Sequence, residues 1–141
     1  MLTELAVATG MVLLTVIVHG AGLYILSHRL RIRSAEEAET HIDPMSPRGI
    51  AVTLALVLGL FWLHGVEIWL YALLYWATDA LPDLHTSVYF SAVTYATIGD
   101  DNAGLPDAWR LVAAIEGVNG IILLGWTTAF FVPIIARMRR S

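Results

Sequence analysis

Three long apolar runs dominate the hydrophobic pattern of the chain. Residues 5–26, 49–77 and 107–138 are mostly apolar, and each run exceeds the roughly 20 residues with which a helix crosses a bilayer. Residues 84–96 are long enough for a helix of about three turns, which is too short to span. The pattern therefore predicts three transmembrane helices, with one short re-entrant helix between the second and the third.

Composition supports an all-α membrane protein. Of 141 residues, 57% are hydrophobic and only 14% are charged. A soluble domain of this size could not cover so much apolar surface, so the bilayer is the expected surroundings. The chain has no cysteine, which excludes disulfides and thiolate metal sites. No basic face indicates nucleic acid as a partner.

The polar segments divide the chain into an N-terminal transmembrane helix, residues 1–27, a linker, residues 28–48, and a second membrane unit, residues 49–141. The linker is polar, with its carboxylates at Glu36, Glu37, Glu39 and Asp43, and it ends near Pro44 and Pro47, which break helices. A solvated cytoplasmic connector is expected there, and a short surface helix over residues 35–40 is the alternative. Pro82 bars helix continuation in the turn at residues 79–83.

Arginine placement predicts the orientation in the membrane. One cluster follows the first span and another ends the third, at Arg29, Arg31, Arg33, Arg137, Arg139 and Arg140. Because cytoplasmic ends are enriched in positive charge, we expect the N-terminus outside and the C-terminus in the cytoplasm. A cleaved signal peptide would carry positive charge before its apolar core, whereas Glu4 precedes this one. The first span is therefore expected to be retained.

The loop at residues 97–102 is the candidate functional segment, and it consists of Thr97, Ile98, Gly99, Asp100, Asp101 and Asn102. Irregular backbone at membrane depth is tolerated where it is buried in protein or lines an aqueous cavity. Backbone carbonyls and acidic side chains are the groups that select cations, and this loop holds both. The preceding short helix would direct the negative end of its dipole at the loop.

Two further polar features lie inside the spans. His64 and Glu67 are three residues apart and so share a helix face. Ionisable residues inside a membrane indicate function by default, but one histidine and one glutamate are too few ligands for a metal site. Glu67 is therefore expected to bond His64 or a neighbouring helix. Glu116, roughly two turns into the third span, either supports the loop or is a partly hydrated carboxylate near the interface.

Residues 49–140 resemble the pore-loop cation channels of the potassium-channel superfamily. Residues 91–99, Ser-Ala-Val-Thr-Tyr-Ala-Thr-Ile-Gly, look like the end of a pore helix and the first half of a filter, and residues 109–113, Trp-Arg-Leu-Val-Ala, look like the start of an inner helix. The resemblance implies an outer helix at 49–77, a pore helix at 84–96, a filter at 97–102 and an inner helix at 107–138. It also implies a homotetramer around one pore.

The filter departs from the family signature Thr-Val-Gly-Tyr-Gly-Asp. Asp100, Asp101 and Asn102 stand where the family has Tyr-Gly-Asp. Aspartate enters the left-handed backbone region less readily than glycine, so the upper carbonyl rings are in doubt. Stacked carboxylates repel unless a cation binds, and hard oxygen ligands suit Ca²⁺. Asp100 and Asp101 are therefore the predicted metal ligands, and the alternative is an exposed acidic turn that draws cations to the mouth.

The resemblance also implies roles for the inner helix. Glu116 and Asn119 are expected to support the filter, with Glu116 bonding Asn119 or a filter amide in place of the family's pore-helix glutamate, whose position here is Val93. A gate or cavity lining is expected at Gly120, Ile121, Leu124, Thr128 and Val132. Helix spacing of this kind is equally typical of plain packing residues.

These observations predict a passive cation channel of weak or no selectivity, in which Ca²⁺ permeates or blocks. The expected partners are K⁺, Na⁺, Ca²⁺, the lipid bilayer and three further copies of the chain, with no other cofactor. A potassium-selective channel with an unusual filter and a non-conducting interaction module are the alternatives. No catalytic constellation indicates an enzyme. A bacterial inner membrane is the expected location.

Overall fold

The computed structural model describes residues 1–29, 46–100 and 104–139, with side chains as far as Ala136. It contains four helices: α1 (Leu2–Arg29), α2 (Pro47–Ala77), α3 (Leu84–Tyr95) and α4 (Arg110–Arg139), the last preceded by a 3₁₀ turn at Asp107–Trp109. Three of them are long and apolar enough to cross a membrane. The described residues contain no strand, so the predicted all-α membrane fold is confirmed. The possible helix at residues 35–40 lies outside the described residues.

Local sequence explains where α2 begins and ends. Ser46 caps the helix by accepting the Gly49 N–H at 3.0 Å, and Pro47 occupies the first turn, where a missing N–H costs nothing. The helix therefore starts two residues before the predicted outer helix. At its other end, Asp79 adopts φ 53°, and the Ala80 N–H returns to the Tyr75 carbonyl at 2.9 Å. This left-handed cap turns the chain back toward α3.

Asp83 starts the short helix α3. Its carboxylate accepts the Thr86 N–H and the Thr86 hydroxyl, each at 2.8 Å. Hydrogen bonds from the Thr86 backbone and side chain hold the pKa of Asp83 below its usual value, so the cap is ionised at neutral pH. This cap fixes the end of α3 that lies farther from the loop at 97–102.

The three long helices pack in alternating direction. Near one end, Ala8 of α1 packs with Tyr71 of α2 and Val112 of α4. Near the other end, Leu23 packs with Leu56 and with the C-terminal half of α4. Helices α1 and α4 therefore run parallel, and α2 runs opposite to both. This arrangement brings the C-terminal ends of α1 and α4 to the same end of the bundle as the start of α2.

A layer of buried polar side chains separates the two apolar clusters. We call it the polar layer; it draws on all four helices and consists of Thr15, His19, Glu67, Tyr71, Ser91, Tyr95, Glu116 and Asn119. Because lipid supplies no hydrogen bonds, polar groups at this depth have to satisfy one another. Their pairing therefore determines which helix faces meet.

Glycine allows α4 to approach α3 closely. A Cβ on Gly117 would lie 3.3 Å from the Thr94 carbonyl oxygen, and one on Gly120 would overlap the Tyr95 carbonyl. Backbone atoms cannot move aside as a flexible side chain does. The inner helix therefore needs Gly120 in order to pack against the last turn of α3.

We expect Gly120→Ala to lower the free energy of unfolding by about 1–3 kcal/mol, because the added methyl group overpacks the α3–α4 contact. Thermal unfolding in detergent, followed by helical circular dichroism, measures the effect. Gly125→Ala is the matched control, since its Cβ meets nothing within 4 Å. Equal stability of the two variants would contradict the packing role of Gly120.

Candidate functional site

The loop that follows α3 is tied back to that helix through its own N–H groups. The Thr97 N–H bonds the Thr94 carbonyl at 2.9 Å. The Ile98 and Gly99 N–H groups both bond the Val93 carbonyl, at 2.8 and 3.0 Å. Successive N–H groups that converge on one acceptor form a concave nest. The loop therefore begins in a defined conformation fixed by the C-terminal turn of α3.

The backbone dihedrals of this loop alternate in handedness. Thr97 has φ 62° and Gly99 has φ 74°, whereas Ile98 between them is not in the left-handed region. In such an alternating chain the N–H groups face one side and the carbonyls face the other. A β-branched residue in the left-handed region costs about 1–3 kcal/mol. The surrounding bonds thus hold Thr97 in a strained conformation at the start of the loop.

The acidic part of the loop is described only as far as Asp100. Asp100 is half-buried and lines a cleft of about 470 Å³ with Thr94, Gly99 and Arg110, among other residues. Arg110 is exposed and forms an ion pair with Asp107 at 3.1 Å. Asp101 and Asn102 lie outside the described residues, so the predicted pair of metal ligands stays a prediction. Arg110 was not anticipated in the lining of this cleft.

Glu116 of α4 bonds α3 and α2 through the two oxygens of its carboxylate. One carboxylate oxygen accepts the Tyr75 hydroxyl at 2.7 Å, and the other accepts the Ser91 hydroxyl at 2.5 Å. The Ser91 hydroxyl also lies 2.9 Å from the Ile68 carbonyl. The sequence suggested Asn119 or a loop amide as the partner, but these bonds join α4 to α2 and to the middle of α3. Glu116 therefore positions the helix that carries the loop, and it has no hydrogen bond to the described part of the loop.

Asn119 connects α4 to the first helix. Its amide nitrogen bonds the Thr15 hydroxyl at 2.8 Å and the Tyr71 hydroxyl at 3.4 Å. Its buried amide oxygen has no partner among the described residues. Asn119 thus bonds α1 and α2, and its support of the loop stays a prediction.

Glu67 is the most highly bonded residue of the polar layer. Its carboxylate lies 2.8 Å from His19 Nδ1 and 3.1 Å from His64 Nδ1, and it accepts the Tyr95 hydroxyl at 2.5 Å. His64 Nε2 lies 2.8 Å from the Thr127 hydroxyl oxygen, which extends this hydrogen-bonded group to α4. Glu67 does bond both His64 and neighbouring helices, as expected. Because Tyr95 ends α3, this carboxylate also anchors the base of the loop.

The predicted lining residues of α4 fall into two groups. One face of the helix is exposed in the single chain and bears Ile121, Leu124, Thr128 and Val132. Gly120 lies off this face, buried against Tyr95. The exposed face is available to line a cavity or to contact another copy, and Gly120 serves the packing of α3.

Sequence reasoning missed His19 and Tyr95 as site residues. His19 is separated from Glu67 by 48 positions, and Tyr95 by 28. The available signal was a lone histidine in the first span, which is costly in lipid and needs a partner. Glu67 is the carboxylate at the matching depth of another span, and on that basis His19 could have been paired with it.

A family model described as an ion channel matches residues 50–137. The match begins in the first turns of α2 and ends near the end of α4, so it contains the loop and both of its flanking helices. No curated protein and no solved structure matches the chain significantly.

We expect Ser91→Ala to lower the free energy of unfolding by about 1–3 kcal/mol, because it leaves one oxygen of buried Glu116 without its donor. A double-mutant cycle with Glu116→Met, which removes the acceptor at similar side-chain size, gives the coupling when measured by denaturant unfolding in detergent. Ser87→Ala is the matched control, since that buried hydroxyl bonds only the Asp83 carbonyl of its own helix. Additive effects of the Ser91 and Glu116 substitutions would show that the bond carries no stability.

Proposed function

Because the matched region covers more than half of it, the chain belongs to the ion-channel family, as the sequence predicted, and we propose that four copies form a passive cation channel of weak selectivity. Three apolar helices place the chain in a membrane. Membership in this family favours transport over catalysis. The loop at 97–102 is the proposed selectivity filter.

The observation that carries the proposal is the hydrogen bonding of the loop backbone. The Ile98 and Gly99 N–H groups both donate to the Val93 carbonyl. The carbonyls of Thr97, Ile98 and Gly99 accept no backbone hydrogen bond from the described residues. Rings of such carbonyls replace the hydration shell of a permeating cation. Thr97, Ile98 and Gly99 therefore supply the lower cation sites in our proposal.

A tetramer is needed because one loop cannot enclose a pore. Ile98 is 77% exposed in the single chain, and the α4 face that bears Leu124, Thr128 and Val132 is exposed as well. Four copies arranged around the loop would bring both surfaces toward a common axis. In that assembly the α4 face lines the cavity below the filter, where apolar rings can gate by dewetting.

The acidic residues set the proposed selectivity. Two carboxylates about 7 Å apart repel by roughly 2–3 kcal/mol at an effective dielectric constant near 20. Rings of Asp100 and Asp101 would therefore favour a bound cation, and Ca²⁺ relieves more repulsion than K⁺ or Na⁺. The Arg110 charge in the same cleft opposes this attraction. We propose that Ca²⁺ binds here weakly enough to permeate or to block reversibly.

The proposed orientation follows from charge. Arg29, Arg48 and the C-terminal end of α4 share one end of the bundle. The positive-inside rule would place this end in the cytoplasm and the filter toward the outside. A bacterial inner membrane is the proposed location.

The proposed function is tested with protein reconstituted in liposomes. Reversal potentials are measured under gradients of K⁺, Na⁺ and Ca²⁺. We expect wild type to conduct both monovalent cations and to show a shift or a block with Ca²⁺. Asp100→Asn and Asp101→Asn should each weaken the Ca²⁺ effect at least several-fold, because each removes one ring of carboxylates.

Asp79→Asn is the matched control, because Asp79 lies in the turn after α2 and asparagine tolerates its left-handed backbone. It should leave the Ca²⁺ effect unchanged. If wild type and both filter variants are all strictly K⁺-selective, the carboxylates do not set selectivity. The filter then consists of backbone carbonyls alone. Absence of any flux would favour a non-conducting interaction module.

A further inference from the structure

His64 lies beside the polar layer and meets two of its members, His19 and Glu67, so that three metal-ligating side chains come together between α1 and α2. The ligand atoms of His19, His64 and Glu67 all lie within 4.8 Å of one another. His19 and Glu67 are fully buried, and His64 is nearly so. We propose that these residues form a site for one divalent transition-metal ion of the Zn²⁺ class. This proposal does not depend on conduction.

The ligand set is typical of zinc rather than of calcium. Two imidazole nitrogens and one carboxylate form a known three-residue zinc set, completed by a fourth ligand. Ca²⁺ and Mg²⁺ prefer oxygen ligands. His19 Nδ1 and His64 Nδ1 lie 2.8 and 3.1 Å from the two oxygens of Glu67, which is within the roughly 3.4 Å separation of neighbouring ligands in a tetrahedral zinc site. The three ligand atoms lie within 4.8 Å of one another, so any pair that is farther apart than about 3.4 Å would move closer on binding.

The outer nitrogens of both rings are held by one hydroxyl. Thr127 Oγ1 lies 2.8 Å from His64 Nε2 and 3.4 Å from His19 Nε2. A neutral histidine whose proton sits on Nε2 presents its Nδ1 lone pair to an ion, and the threonine oxygen has two lone pairs to accept such N–H groups. Outer hydrogen bonds of this kind fix the tautomer and orientation of metal-bound histidine. Thr127 is therefore a positioning residue.

Tyr95 supplies the candidate fourth ligand. Its hydroxyl oxygen lies 2.5 Å from Glu67 Oε2 and 2.9 Å from His64 Nδ1. The phenol proton is donated to Glu67, and the hydroxyl oxygen keeps a lone pair that completes the ligand set in our proposal.

Occupancy would have a structural consequence. His19 belongs to α1, His64 and Glu67 to α2, and Tyr95 is the last residue of α3 before the filter. One ion would therefore join the N-terminal helix, the outer helix and the base of the filter. The first helix, which lies outside the matched ion-channel region, gains a role as a metal-dependent brace.

Metal titration of the full-length protein, purified in detergent and freed of metal, tests the site. Zn²⁺ binding is measured by calorimetry, and Co²⁺ binding by the visible absorption of a four-coordinate centre. We expect one saturable ion per chain. His19→Asn and Glu67→Gln should each weaken binding at least hundredfold, and Thr127→Val should weaken it 10–100-fold, as for outer-layer partners elsewhere.

His28→Asn and His85→Asn are the matched controls, because both histidines are exposed. They should bind the ion as tightly as wild type. Helical circular dichroism and elution volume in the absence of metal show whether each variant folds, and His64→Asn replaces any variant that does not.

Two results would overturn the proposal. One is folded wild-type protein that binds no stoichiometric Zn²⁺ and gives only the weak Co²⁺ spectrum of a six-coordinate ion. The other is binding that survives in Glu67→Gln and His19→Asn but is lost with the exposed histidines. Either result would make the cluster a hydrogen-bonded clamp alone. Neither result would contradict the proposed channel function, because the experiment measures metal binding and not ion flux.

Discussion

A carboxylate enclosed by membrane helices costs free energy unless donors surround it, and the packing of this chain depends on how Glu67 meets that requirement. His19, His64 and Tyr95 provide its partners from three different helices. Van der Waals packing holds apolar helices together in lipid but discriminates poorly between their faces. The buried carboxylate therefore selects the rotation of α1 and α2 and the depth of α3.

The same requirement explains how a short helix is held inside the bundle. Helix α3 is too short to span the membrane. Two buried glutamates hold it in place by hydrogen bonds, Glu67 to Tyr95 at the end of α3 and Glu116 to Ser91 at its middle. Gly120 lets α4 press against the last turn. The turn so fixed presents the Val93 carbonyl to the loop N–H groups, which sets the strained conformation of Thr97. Buried polar pairing is thus linked to the geometry of the loop after α3 by a short chain of contacts.

Much of this architecture could be predicted from sequence because hydropathy and helix length are local properties. The three spans, the all-α class and the family were all predicted from residue patterns and are confirmed. Partners distant in sequence were not predictable: Glu67 was assigned to His64 but not to His19, and Glu116 bonds Tyr75 and Ser91 in place of Asn119. Periodicity identifies which residues face inward, but the relative rotation of two helices decides which of them meet.

Glu67 links the first helix to the C-terminal end of α3, and a double-mutant cycle between His19→Asn and Tyr95→Phe tests this link most directly. The two residues lie on different helices and share one carboxylate. Their effects on the free energy of unfolding in bicelles should therefore be coupled by about 0.5–3 kcal/mol. Additivity within about 0.5 kcal/mol would mean that the two bonds act independently, and it would contradict the account.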